Sequence, residues 1–369
     1  MKERYIYLDV LKGIAILCVC AYHFSWANGI GYQENMELYN AVTRFLFGVN
    51  CICVPMFFMV NGALILNKEY SVPEWIKNMA VIVLQCIAWR FVTIVTICVA
   101  KGLNLTEHGA KYFMDAVWFG EFEGINLSHM WFIYALIIVY LLMPFLKTMF
   151  DKMEEKNNYF IVFLILMTFL CFVTKTWITI VKIIPALGGI ELENIRNFIP
   201  FDGMYGPMLC YFILGGILHK MREKVKNISN VFFGVAFFIG TVLLYIKWYV
   251  ESRAQGYTYD NVFFGYDCVA GLIMTVSLFV LLMNMEDRMR TFGNGIKNVI
   301  FFIGKNTMNV YYIHWILGFT ILPALYEKVS AYDGSILNLL KAVCLVVSCS
   351  MLGELGSHLP GVKCLFQRK

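Results

Sequence analysis

Charge is scarce in this 369-residue chain: Asp, Glu, Lys and Arg make up 15% of it, against roughly 25% in ordinary soluble domains. With 60% hydrophobic residues and a mean hydropathy of +0.67, too little polar surface remains to cover a water-soluble globule. Proline is scarce too, with eight residues, which excludes a collagen-like or disordered chain. The net charge of +5 forms no basic stripe, so nucleic acid is not an expected partner. None of the 12 cysteines forms a CxxC pair. Cys51 and Cys53 alternate around a helix rather than share a face, and Cys18, Cys20, Cys86, Cys98, Cys171, Cys210 and Cys268 sit inside apolar runs. A thiol there acts as a small hydrophobe, so neither a metal site nor a disulfide framework is expected. Internal repeats, low-complexity tracts, lipidation motifs and a separate soluble domain are also missing, which leaves residues 1–369 as one integral-membrane unit.

What is present in abundance is long apolar runs. A hydrocarbon core about 30 Å thick needs roughly 20 apolar residues per helix. Ten runs near that length stand at 8–26, 45–66, 78–100, 130–150, 159–174, 204–219, 231–250, 264–284, 299–323 and 336–353. Ile133–Leu142 is continuously apolar rather than alternating, which excludes a β-barrel. The expected fold is therefore all-α, a polytopic transmembrane bundle of about ten helices. The first run carries Asp9 and Lys12 and lacks an Ala-x-Ala-like cleavage site, so it reads as a retained helix rather than a signal peptide. Cytoplasmic N- and C-termini place Lys147, Lys152, Lys156, Lys220, Arg222, Lys224 and Lys226 at one membrane face, as the positive-inside rule requires. The connections 101–129 and 175–203 on the other face are much the longest; they are either functional loops or plain linkage.

Ionisable groups inside spans are costly and usually face a bundle interior or a wet cavity. Lys12 and His23 are separated by ten residues. Eleven steps of about 100° return a helix to within roughly 20° of its starting face after a rise of about 16 Å. One face of the first helix thus carries a cation near the cytoplasm and an imidazole in its outer half. Alone, Lys12 reads equally as a snorkelling lysine paired with Asp9 at i,i+3, and His23 as a packing histidine. Their company changes the balance: Arg90 and His314 lie at matching depth in the third and ninth runs, His129 stands at the outer mouth of the fourth, and Arg44 opens the second. Near the cytoplasm, Lys12 is expected to meet Asn61 and Lys305, polar groups suited to a ligand's phosphates. A buried neutral imidazole can take a proton and serve as a general base between a cytoplasmic donor and an external acceptor. The same pattern suits a proton-coupled transporter of a glycan or small molecule, without covalent chemistry.

Four stretches resemble acyltransferase family 3, bacterial integral-membrane acyltransferases that modify surface polysaccharides and related envelope molecules. Leu8-Asp9-Val10-Leu11-Lys12-Gly13-Ile14-Ala15 with His23 is similar to the family's basic residue, ten residues, His. Val54-Pro55-Met56-Phe57-Phe58-Met59-Val60-Asn61-Gly62-Ala63 resembles its V-P-x-F-F-x-x-S-G block. His129-Met130-Trp131-Phe132-Ile133-Tyr134-Ala135-Leu136, running to Pro144, and Asn309-Val310-Tyr311-Tyr312-Ile313-His314 complete the set. This chain departs from the pattern with Lys12 in place of Arg, Asn61 in place of Ser, and Leu136 where some members carry an acid. The partner that orients the base is therefore not identified by the resemblance.

The resemblance implies O-acyl transfer, most often acetyl transfer, from cytoplasmic acyl-CoA to a hydroxyl of a sugar or glycan outside the bacterial inner membrane. Acetyl-CoA would be a co-substrate, with no permanently bound cofactor and no metal. His23 would be the essential histidine and Lys12 its motif partner. Depth and motif position add Arg90 as a candidate oxyanion holder. Asp9, Arg44, Asn61, His129, Trp131, Lys305 and His314 are the candidate lining of the donor and acceptor sites. Besides the transporter, a structural subunit of an envelope-synthesis complex fits the absence of a complete catalytic triad.

Overall fold

Each of the ten apolar runs contains helix among the described residues, although the eighth, expected from 264, opens with a 3-10 turn and becomes an α-helix only at Val269. The computed structural model describes residues 4–27, 38–104, 109–118, 127–154, 159–183, 204–255, 259–318 and 335–366, and no strand occurs among them. The principal helices are α1 (Ile6–Ala27), α2 (Leu38–Gly48), α3 (Cys53–Leu66), α4 (Val72–Lys101), α5 (Gly109–Trp118), α6 (Trp131–Asp151), α7 (Tyr159–Thr168) and α8 (Thr174–Ile183). They continue with α9 (Tyr205–Lys220), α10 (Asn230–Gln255), α11 (Val269–Asn284), α12 (Asn294–Ile316) and α13 (Ser335–His358).

Seven helical stretches are long and apolar enough to cross a membrane: Ile6–Phe24, Val42–Leu66, Val72–Lys101, Trp131–Asp151, Ile161–Val181, Asn230–Arg253 and Leu337–His358. That is the composition of a multi-pass membrane protein. The runs expected at 204–219, 264–284 and 299–323 are helical too, but α9 and α11 have 16 residues each, and α12 is made too polar by Lys305, Asn306, Asn309 and His314, so they miss that standard. Residues 319–323 of the ninth run lie outside the described residues. α7 and α10 expose large apolar side chains such as Ile165, Leu166, Phe232 and Phe238 on their outer faces, as lipid contact requires.

Local chemistry sets several boundaries. α4 begins where Ser71 caps Glu74 N at 3.3 Å with Pro at the first turn, and it ends at Gly102, whose φ of 67° only glycine adopts without strain. α1 starts against another helix's carboxylate: Glu286 accepts from Ile6 N at 3.2 Å and Tyr7 N at 2.8 Å, filling two of the donors a helix start leaves open. α2 passes through a 3-10 turn, Val49–Ile52, into α3.

The fifth span corrects the sequence reading, which ended it at 174. A π-helical turn, Phe169–Val173, joins α7 to α8, and the helix runs to Ile183. The polar residues that signalled an end are satisfied along it. Thr176 Oγ1 donates to Phe172 O at 2.8 Å, and Lys175 lies 3.8 Å from Asp267. Of the two long connections, the first contains α5; in the second, residues 184–203 lie outside the described residues.

α1 occupies the middle of the bundle, packed against α3, α12 and α13. Its Tyr7, Leu11, Ala15 and Ile16 have no exposed surface. α3 and α9 approach most closely: a Cβ on Gly62 would fall 1.7 Å from Phe212 O, and one on Gly215 2.0 Å from Met59 O. Small residues that let backbones touch are the usual means of helix association where lipid supplies no hydrophobic drive.

Candidate functional site

The last turns of α1 and α12 and the short turn before α6 bring three histidines together. His23 of α1 and His314 of α12 have ring centroids 5.4 Å apart, and His129, in the 3-10 turn Ser128–Met130, lies 5.9 Å from His314. Trp315 closes the group, stacked on His129 at 4.5 Å and edge-on to His23 at 5.2 Å. His314 has no exposed surface and His129 is buried.

Hydrogen bonding fixes the state of one ring. His314 Nδ1 lies 2.6 Å from Tyr311 O and 3.1 Å from Val310 O. A carbonyl can only accept, so Nδ1 carries the proton, and Nε2 is left with a lone pair. His314 Nε2 and both ring nitrogens of His129 are buried without a hydrogen-bond partner. Such groups are costly in a folded interior and mark places where a ligand or proton is handled. Tyr311, three residues before His314, donates its hydroxyl to His129 O and so fixes the third histidine's backbone to α12.

The remaining predicted residues are placed as follows. Lys12 donates to Asp9 at 2.9 Å and to Gly304 O at 3.5 Å, and Asp9 also pairs with Arg4 at 2.7 Å. The Asp9 carboxylate lies where a side chain on residue 304 would stand, since a Cβ there would be 2.5 Å from Oδ1; only glycine allows α12 to pass. The expected meeting of Lys12 with Asn61 and Lys305 does not occur. Asn61 donates back to Phe57 O at 2.8 Å within α3, and Lys305 is turned to Glu354 of α13 at 2.9 and 3.0 Å. One step along α12 separates Gly304, which faces α1, from Lys305, which faces α13.

Arg90 lies outside the histidine group. Its Nε donates to Val117 O at 2.7 Å, its Nη2 to Ala116 O at 2.6 Å and its Nη1 to the Tyr134 hydroxyl. A guanidinium on the last carbonyls of α5 complements the negative end of that helix and fastens it to α4 and α6. Those bonds make Arg90 a clamp on α5 and engage three of its five N–H donors. Arg44 is buried against the Trp248 and Phe47 rings, 5.6 and 6.0 Å from their centroids. Trp131 stacks with Tyr266 at 6.0 Å.

Sequence reasoning missed three neighbours. Trp315 walls the histidine group but is one of 60 Phe, Trp and Tyr residues, and composition could not single it out. Tyr22, next to His23, donates to Asp260 Oδ2 at 2.6 Å. Asp260 also caps Val262 N and Phe263 N at 3.1 Å, and burial still pushes its carboxyl above the usual range.

Two clefts lie along α1 on the N-terminal side of the histidines. A polar one of about 340 Å³ is lined by Tyr5, Tyr7, Arg222, Lys226, Glu286 and Arg290, among others. An apolar one of about 440 Å³ runs from Asp9 through Gly13 to Leu17, walled by Ile303 of α12 and Val343 and Val346 of α13.

A comparison with protein families matches residues 5–354 to one described as an acyltransferase domain, family 3 of that name. Comparisons with curated proteins and with solved structures match nothing.

Proposed function

This chain belongs to acyltransferase family 3, and we propose that it transfers an acyl group, in the first instance acetyl, from acyl-CoA on the cytoplasmic side to a sugar hydroxyl on the other side of a bacterial inner membrane. The observation that carries this reading is the meeting of three imidazoles, in which His23 faces His314 and the buried His129 and His314 keep ring nitrogens without a hydrogen-bond partner. Chemistry in such a group needs no metal. A thioester is already activated, so the protein must hold it against the alcohol and manage one proton.

In this reading His23 accepts the hydroxyl proton as the oxygen attacks the thioester carbonyl. The tetrahedral intermediate then collapses, the carbon–sulfur bond breaks, and the proton passes from the imidazolium to the departing thiolate. The donor enters from the N-terminal end of α1. Arg222, Lys226 and Arg290 at the polar cleft supply cations for its phosphates, and the cleft from Asp9 to Leu17 is apolar enough for a pantetheine arm. Lys12 adds a charge held in place by Asp9, which lines the apolar cleft. The termini are cytoplasmic and the ten helical runs span the bilayer. Family membership favours this covalent chemistry over a transporter.

The test supplies radiolabelled acetyl-CoA to membranes containing the wild type or His23→Ala and follows label into glycan. Label with the wild type and none with the variant is expected. Equal incorporation by both removes His23 from the chemistry, and no label from acetyl-CoA or longer acyl-CoAs with the wild type removes the acyl-transfer reading.

A further inference from the structure

We propose that His314 is the positioning residue for His23, taking through Nε2 the part that a carboxylate plays in a catalytic triad. The inference rests on the acyl-transfer reading above and adds a role within it. A histidine base works only when one ring nitrogen presents a lone pair to the substrate and the other N–H is held by an acceptor that fixes tautomer and orientation. The acceptor need not be an acid; it must be buried, correctly placed and unable to donate.

His314 meets those conditions through its own helix. It stands in the last turn of α12, and the carbonyls of Tyr311 and Val310 hold its Nδ1–H. Nε2 is thereby an obligate acceptor in the neutral ring, and it is buried with no partner. The His23 ring is its near neighbour, at 5.4 Å between centroids and a 30° tilt, so rotation about the His23 side-chain torsions brings a ring nitrogen into hydrogen-bond reach. Catalytic hydrogen bonds often close only when substrate is bound. The second candidate donor, His129, is farther, at 5.9 Å, and perpendicular, and its ring is stacked on Trp315.

With the His23 ring turned to that position, its N–H donates to His314 Nε2 as its other nitrogen takes the alcohol proton. The positive charge is then shared along the line His23, His314, and the carbonyls of Tyr311 and Val310. His314 can hold that charge because Nδ1–H already donates to two carbonyls. The protons balance: His23 gains one from the hydroxyl and gives one to the thiolate, and His314 keeps its Nδ1–H throughout.

The experiment compares His314→Asn, His314→Gln and the wild type in membranes, with radiolabelled acetyl-CoA as probe. It measures initial rates, the KM for acetyl-CoA, the melting temperature and the rate against deuterium content of the solvent. Asn retains a donor for the backbone carbonyls but does not reach the Nε2 position, whereas the Gln side-chain oxygen does. His314→Asn is expected to lower kcat on the order of 100-fold, the low end of what a positioned base contributes, with KM and melting temperature unchanged. His314→Gln is expected to recover about tenfold of that loss. The deuterium plot should be curved for the wild type, two protons being in flight, and straight for His314→Asn. Where His314→Asn does not fold, His314→Met, which fills the space without an acceptor, takes its place with the same expected outcome.

A variant lacking the acceptor that stays within threefold of the wild type overturns the proposal. So does equal impairment of both substitutions with a raised KM and lowered melting temperature, the mark of packing alone. Failure of the wild type itself to transfer label instead removes the acyl-transfer reading on which the inference rests.

Discussion

Replacing Gly62 by alanine should loosen the bundle at its tightest seam. A Cβ at this position would lie 1.7 Å from Phe212 O of α9, whereas real Cβ contacts do not fall below 3.0 Å. The helices must therefore separate by at least the difference, 3.0 − 1.7 = 1.3 Å, at that level. The obstacle is backbone, so no side chain can swing aside, and α9 meets the same limit from its own side where Gly215 faces Met59 O. Overpacking of this kind costs about 3 kcal/mol, against which alanine returns up to about 1 kcal/mol in helix propensity, leaving a net loss of about 2 kcal/mol. Thermal unfolding of the detergent-solubilised protein should show a midpoint lowered by roughly 2–3 °C, the shift that about 2 kcal/mol produces in a chain of 369 residues. Gly234→Ala is the control: it lies in α10 with nothing within 4 Å of the added carbon, and its midpoint should be unchanged or raised. If Gly62→Ala melts at or above the wild type, the close approach of α3 and α9 is not as described here.

Two further substitutions address the donor end of α1. Lys12→Ala should raise the KM for acyl-CoA about tenfold more than Lys12→Arg, because a charge rather than an amine is required beside the donor path; equal behaviour of the two would leave Lys12 as Asp9's structural partner alone. Glu286→Ala removes the acceptor for Ile6 N and Tyr7 N and should cost about 1–2 kcal/mol in a melting experiment, with Glu286→Gln, which keeps one acceptor oxygen, falling between it and the wild type.

Much of this architecture was legible because a bilayer makes strong demands on sequence. Apolar length alone located the helical runs, but it opened the third at 78, whereas α4 begins at Val72, where the Ser71 cap lets a polar first turn join the helix. The convergence of His23, His129 and His314 followed from depth, since a helix advances by a fixed rise per residue and neighbouring spans share the same membrane planes. Depth does not supply direction around the axis. Lys305 was therefore expected at Lys12 and is found at Glu354, one residue past the glycine that faces α1. Arg90 was placed at the right level, but its hydrogen-bond partners on α5 were not foreseen, because that helix is too short and too polar to register as a span. The partner of the histidine base escaped the sequence for a related reason. An acid was sought at Leu136, whereas the acceptor available beside His23 is another imidazole, fixed by main-chain carbonyls that any sequence provides.

The central claim, that the buried histidines perform acyl transfer, is tested most directly by reconstituting the purified protein in lipid nanodiscs with acetyl-CoA and a sugar-bearing acceptor, and following release of the CoA thiol. The account predicts acceptor-dependent thiol release by the wild type and its loss, by about 100-fold or more, in a stably folded His23→Gln. Thiol release by His23→Gln at the wild-type rate would contradict it.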